Sequence, residues 1–275
     1  MKRFKIALGL ILILAVAGLV YASINLDFYG IGESSDLADH PLRYTLEPKG
    51  GMLQAKSRIA NLRLWAGLSY AFTDTDVRFL APPTTPGLPD YHSQSQVGGL
   101  TPSLTWDTRD NIFTPTRGTY LEGTTGLFSR ALGGDYEFQR VRLMALQYAP
   151  LGPRLYLGLR GEGAASFGNE PFYLRPYINM RGVPVMRYQG EEVAQLEAEL
   201  RWQFWKRISL VGFAGSGVAW NDLENFDNTQ KTLAGGAGFR YEIARKYGIH
   251  MGLDVAFGPD NPAVYVQVGS AWSRP

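Results

Sequence analysis

His40, His92 and His250 are the only imidazoles in this 275-residue chain. A hydrolase working at a lipid surface would need one of them oriented beside a serine nucleophile. His40 and His92 fall in loop-like stretches, and His250 sits in an alternating segment with no serine set to pair with it, so no catalytic residue is assigned. Cysteine is absent, which removes thiol nucleophiles, zinc-thiolate sites and disulfides. Asp222, Glu224 and Asp227 in NDLENFDNTQ are oxygen ligands of the kind a hard cation accepts, and also what a solvated acidic loop carries. Gly235-Gly236-Ala237-Gly238 lacks the helix start that turns a glycine loop into a phosphate cradle, and glycines in a strand mark bends or close packing. The densest set of opposed charges is Asp107, Arg109, Asp110 and Arg117, with Gly118, in WDTRDNIFTPTRG, the make-up of an ion-paired turn. No enzyme activity, metal or cofactor is expected from these groups.

The elements that carry them must be read from periodicity. In QLEAELRWQF, residues 195–204, a polar row (Gln195, Glu197, Glu199, Arg201, Gln203) alternates with an apolar one (Leu196, Ala198, Leu200, Trp202, Phe204). Period two argues for a strand. The same residues have good helix propensity, and Val193, Leu196, Leu200 and Phe204 also fall near one helical face, so the segment alone leaves both structures open.

The rest of the chain arbitrates. It holds 32 Gly, 15 Tyr, 14 Phe and 6 Trp at a net charge of +2, a balance that suits pleated, membrane-belted sheets and gives no basic tail for nucleic acid. Alternating segments punctuated by turn residues recur from about residue 23 to the C-terminus, the signature of a transmembrane β-barrel. Expected strands are 23–29, 43–58, 62–79, 96–107, 117–129, 135–149, 154–167, 191–205, 207–220, 232–244, 249–257 and 263–272, about twelve in all, an even number as single-chain bacterial barrels require. Longer polar loops are expected at 81–95, 169–189 and 221–231. A soluble sandwich is the structural rival, and it would need a second sheet to cover the apolar faces. A basic residue at mid-bilayer on the lipid face costs about 2–4 kcal/mol. The row with Glu197, Glu199 and Arg201 therefore faces the lumen, and Leu196, Leu200, Trp202 and Phe204 meet lipid. In 135–149, Arg140 and Arg142 share parity with Tyr136 and Met144, so the facing of that strand stays open.

At the N-terminus, Lys2, Arg3 and Lys5 precede the uncharged run IALGLILILAVAGLV and then YAS, with small residues at Val20 and Ala22. A secretory signal cleaved after Ala22 is expected, leaving residues 23–275 as the barrel domain. The alternatives are an uncleaved anchor helix and a first barrel strand, since ASINLDFYG runs straight on.

Several of these motifs, in order, resemble the BamA/TamA superfamily, the bacterial surface-antigen barrels of outer-membrane assembly and translocation. They are FYGIG at 28–32, WDTRDN and PTRG at 106–118, the Arg181-Gly182 pair in MRGV, LEAELRW at 196–202, GFAGSGVAW at 212–220, LDVAFGPD at 253–260 and VQVGSAW at 266–272. The resemblance covers about residues 23–272 and favours strand at 190–204. It implies an all-β antiparallel transmembrane barrel in the outer membrane, with a long extracellular loop folded into the lumen. There Arg181 is held by lumen-facing acids, a guanidinium gaining from a planar carboxylate partner. Glu199 has the right parity to be that partner, with Glu197 or Tyr188 in support, and Trp272 belongs to the closing strand.

Two residues depart from the family pattern. Val183 stands where an aromatic usually follows Arg-Gly, and Gly215 stands where the following strand usually has an acid. The implied partners are outer-membrane lipid, the barrel assembly machinery that inserts the chain, and a polypeptide substrate. The expected architecture is a barrel-only member without periplasmic POTRA repeats and smaller than the family's sixteen strands, or a fragment of a larger member. Two functions follow: aiding polypeptide or lipid insertion or transport through a loop-plugged lumen, or serving as a passive structural barrel or small diffusion pore.

Overall fold

The computed structural model describes residues 13–30, 37, 41–60, 62–80, 92–221 and 229–272. His40 and the acidic trio Asp222, Glu224 and Asp227 lie outside the described residues. One antiparallel sheet of 13 strands runs in chain order: β1 (Ile13–Tyr21), β2 (Ile24–Phe28), β3 (Leu42–Arg58), β4 (Leu64–Phe79), β5 (His92–Asp107), β6 (Gly118–Phe128), β7 (Phe138–Gly152), β8 (Leu155–Gly168), β9 (Glu192–Trp205), β10 (Ile208–Trp220), β11 (Gln230–Ala244), β12 (Ile249–Phe257) and β13 (Ala263–Val268). β1 and β2 lie end to end on β3, facing Lys49–Ser57 and Leu42–Leu46 respectively, and Ala22 N donates to Pro48 O between them. They make one interrupted edge strand, so the wall is twelve strand positions wide. Part of the stretch expected as a leader is thus strand β1; a cut after Ala22 would leave β2 as the remainder of that edge.

The fold follows from the pattern. Opposed residues in an antiparallel pair share a face, and the register puts Glu199 opposite Phe213 and Gly158, and Glu197 opposite Gly215 and Arg160. The other face carries Leu196, Leu200, Trp202, Phe204, Leu233, Val264 and Val266, all exposed, a surface only lipid can cover. Of residues 190–204, those from Glu192 onward are strand, not helix. β7 resolves too: Phe138, Met144, Leu146 and Tyr148 are buried while Leu143 is exposed, which turns Arg140 and Arg142 to the lumen.

The turns at 59–63, 153–154, 206–207 and 245–248, with the turn at 108–117, share one end. The other end holds the longer connections at 29–41, 80–91 and 169–191. By that asymmetry the first end is periplasmic and the second extracellular. Segment 169–191 packs on β2, β3 and β4 on one side and on β9 and β10 on the other, so the sheet curls around it into a barrel. Among the described residues β13 makes no strand pairs with β1 or β2.

The closing strand is shorter than 263–272. β13 ends at Val268, Gly269 takes φ 81°, and the chain then turns inward. Trp272 lies buried in the lumen with Tyr120, Met144, Leu146 and Tyr148. An apolar lumen patch packs the indole ring while Glu197 accepts from its Nε1, which is why an aromatic residue after the strand's end does not have to face lipid.

Candidate functional site

The site is the inward segment 169–191 and the wall it touches. Its first part is apolar and sits high in the barrel. The Phe172 ring lies 5.2, 5.5 and 5.7 Å from those of Phe28, Tyr44 and Phe79. Tyr173 Oη is 2.7 Å from Ser95 Oγ, and Tyr44 Oη donates to Met186 Sδ at 3.1 Å. The segment closes on itself: Gln189 Nε2 donates to Phe172 O, Ile178 N to Tyr188 O and Gly190 N to Pro176 O. A backbone tied in this way can enter a lumen without leaving buried amides unpaired.

At the tip, Val183 N donates to Met180 O and Gly182 has φ 91°. A side chain at 182 would come within 2.8 Å of Phe257 O, so glycine is required by both conformation and space. Gly182 N donates to Tyr265 Oη at 3.0 Å. The turn aims Arg181 at the wall. Its Nη1 donates to Asp254 Oδ2 at 2.7 Å on β12. Its Nη2 stands 2.7 Å from Glu199 Oε2 on β9, an ion pair out of line for a hydrogen bond. The guanidinium carbon sits 3.6 Å over the Phe213 ring of β10, a cation–π contact strengthened by desolvation. Asp254 is 0% exposed and is gripped from behind through both oxygens by Arg240, itself 2% exposed.

Of the expected loop residues, Arg181, Gly182 and Glu199 come together here. Glu197 does not join them. It accepts from Arg160 Nη1 and, at 3.0 Å, from Trp272 Nε1, one strand step from Arg181. Arg160 also pairs with Glu162, and Glu162 with Arg142 at 2.6 Å, a ladder of alternating charge across β7, β8 and β9. It too holds the loop, since Arg160 Nη1 donates to Asn179 O at 2.9 Å and Asn179 N donates to Gln195 Oε1 at 2.8 Å. Tyr188 packs beside the cluster of Ile178, Met180, Val183 and Val193, with Arg187 as its cationic neighbour. Arg187 lies 3.1 Å from Asp260 and 4.6 Å over the Tyr29 ring, linking the chain after β2 to the β12–β13 connection.

Sequence reasoning missed Asp254 as the second acid. Gly215 explains the relocation: a side chain there would meet Glu197 Cγ at 2.7 Å and Met180 Sδ at 2.9 Å, so β10 has no room for a carboxylate and β12 provides it. The available signal was an acid with lumen parity in HMGLDVAF. Val183, in place of an aromatic, is buried against Ile178, Met180 and Ala219.

The turn set at the periplasmic end is an ion-paired structure. Asp107 accepts from Arg109 Nε at 3.0 Å and Nη2 at 2.8 Å, and the Arg109 guanidinium lies 4.4 Å over Tyr120. Asp110 accepts from the Thr116 amide and hydroxyl and the Arg117 amide, and Gly118 takes φ 106°. Partial burial pulls the Asp110 carboxyl up, but the Thr116 hydroxyl and the two amides outweigh it and hold the group below the usual carboxylate range. A carboxylate held low when folded supports the turn above the ordinary carboxylate pKa of about 3.9 and loses that support as pH falls below it. Exchange protection of the Thr116 and Arg117 amides is therefore expected to be flat from neutral pH to about 4 and to fall only below it; a loss between pH 7 and 5 would contradict this account.

His250 Nδ1 is 3.1 Å from Gly248 O and its Nε2 is 3.4 Å from Arg201 Nη1, the surroundings of a structural imidazole. His92 pairs with Asp76 at 2.6 Å.

Comparison with known proteins gives two findings. A family model described as the Omp85 superfamily domain matches residues 90–260, which takes in β5 to β12. Among solved structures, the chain is similar to the crystal structure of BamA from Haemophilus ducreyi lacking POTRA domains 1-3, at TM-score 0.63 and 14% identity, over 93% of this chain and 57% of that one. The likeness at that identity is one of fold, and the chain spans a little over half the length of that relative. No curated protein matches it.

Proposed function

Since the chain belongs to the Omp85 superfamily and forms an outer-membrane β-barrel related to assembly and translocation factors, we propose that it helps to insert or move polypeptide or lipid there. Segment 169–191 is the plug. The edge between β13 and the β1–β2 strand is where the wall can open, and Arg187 ties its extracellular end.

The observation that carries the proposal is the clasp: Arg181 reaches from the plug to carboxylates on both β9 and β12. A passive barrel has no use for a buried cation joining a loop to two separate strands, because paired charges in a dry site cost about as much desolvation as they return. The plug itself is held by contacts that a moving loop can break one at a time.

Conductance tests it. In planar bilayers the wild-type chain is expected to show small, fluctuating openings. Arg181→Ala is expected to raise mean conductance severalfold, because Asp254 keeps Arg240 as a partner while the plug loses its tip contact. A steady conductance indifferent to Arg181 would make the protein a simple pore, and silence in both forms would make it a structural barrel; either defeats the proposal.

A further inference from the structure

Among the described residues the buried arginines are Arg160, Arg181, Arg201 and Arg240, and Arg201 alone has no carboxylate within ion-pair distance. It is 7% exposed. Its guanidinium carbon lies 4.7 Å over the Tyr156 ring and its Nη1 is 3.4 Å from His250 Nε2. Its Nη2 is buried with no hydrogen-bond partner. A guanidinium taken out of water in this way is costly unless a counter-charge meets it.

The neighbouring charges do not cancel. Arg181, Arg201 and Arg240 stand with Glu199 and Asp254, three positive charges against two negative. Glu242, opposite His250 in the register, is 3.7 Å from Arg245 outside this set. Asp110 is taken by Thr116 and the Arg117 amide. His250 adds no positive charge, since its Nδ1 bonds to Gly248 O and its Nε2 faces a cation. The set is left one negative charge short.

On the periplasmic side of the clasp is a cavity of about 20 Å³, lined by Arg201, Arg240, Glu199, Thr114, Tyr148 and Ser270 among others. Thr114 brings a second donor to it: the residue is 8% exposed and its Oγ1 is buried without a partner. Tyr148 Oη and Ser270 Oγ bond to each other at 3.2 Å. Glu199 turns its Oε2 to Arg181 Nη2, 2.7 Å away. Thr114 is positioned by the turn at 108–117, which reaches across the periplasmic mouth: Asn111 Nδ2 donates to Tyr247 O at 2.7 Å, and Ser270 N donates to Phe113 O. A cavity of this size has room for one particle about as large as a water molecule. Water would satisfy the two donors and leave the charge uncompensated. A chloride ion is little larger, accepts from N–H and O–H alike, and brings the set to neutrality.

We propose that this cavity binds a single halide ion, chloride under ordinary conditions, between Arg201 Nη2 and Thr114 Oγ1. The ion ties β9 to the turn that floors the lumen. The site stands whether or not the barrel translocates anything.

Urea unfolding of the refolded full chain in vesicles of zwitterionic lipid tests this, in sodium chloride, bromide or gluconate at one ionic strength. For wild type the folded-to-unfolded ratio is expected to rise as chloride replaces gluconate, approaching tenfold per tenfold chloride once the site is nearly saturated. Bromide should act alike. Arg201→Gln, which removes the charge and keeps a polar side chain, should abolish the dependence, and Thr114→Val should weaken it. Arg117→Gln, exposed on the same turn, should keep it. A wild-type ratio equal in chloride and gluconate would mean that the cavity holds water, and it overturns the proposal. So does a chloride dependence that survives in Arg201→Gln. Should Arg201→Gln fail to refold, bromide anomalous scattering from wild-type crystals decides: an ion between Arg201 and Thr114 is expected, and bromide at other positions alone defeats the assignment.

Discussion

Replacing Asp254 by Asn is expected to destabilise the barrel more than any other single change at the clasp, by about 3–5 kcal/mol, because it strands buried charge. Arg240 would lose its carboxylate altogether in a site that is 2% exposed, and Arg181 would be left with the misaligned Glu199. Arg181→Ala should cost less, since Arg240 continues to neutralise Asp254. Glu199→Gln should cost least, because that carboxylate is the more exposed of the two and Arg181 keeps its 2.7 Å hydrogen bond to Asp254. Urea unfolding of the refolded protein in lipid vesicles gives the order directly. Three equal losses would mean that the acids act independently and that no shared clasp exists.

Leu196→Arg should block insertion. Leu196 is 68% exposed near the middle of β9, on the face that meets lipid, where an arginine costs about 2–4 kcal/mol at the bilayer midplane. Gln54→Arg provides the contrast. Its register partner Ser69 and its row neighbour Lys56 place it on the lumen face of β3, where water is available, and it should insert normally. The readout is the folded fraction in outer-membrane-thickness vesicles, and equal yields would reverse the assignment of the two faces.

These two substitutions separate what pattern could reveal from what it could not. The facing of β9 was legible because its lumen row is polar from Gln195 to Gln203, so alternation alone sorts Glu197, Glu199 and Arg201 from Leu196 and Leu200. β7 was not legible, because its lumen row mixes Arg140 and Arg142 with Met144, Leu146 and Tyr148. The cause is tertiary: Trp272 and Tyr120 pack on that row, so an inward position there is no longer a wet one. Trp272 itself was misplaced for the same reason, since sequence cannot tell an aromatic for lipid from one for a dry lumen. Glu199 was indicated by the family resemblance, which implies lumen-facing acids on the strands after the loop, and by its parity. Asp254 has the same parity, but it lies 73 residues from Arg181, and only the curling of the sheet brings the two together. The run at 13–21 was ambiguous because a leader's apolar core and an edge strand in lipid ask for the same residues.

The clasp also makes the loop a gauge of curvature. Glu199 and Asp254 stand on β9 and β12, three inter-strand steps apart, which is about 14 Å of wall at roughly 4.8 Å per step. One guanidinium can touch both only while that arc stays bent enough to bring the side chains together. If the arc flattens, as when a barrel widens to admit another strand, one contact must part before the other. The residue that holds the plug would then sense the girth of the barrel, and the lumen would begin to open in response to tension in the wall with no ligand bound to it.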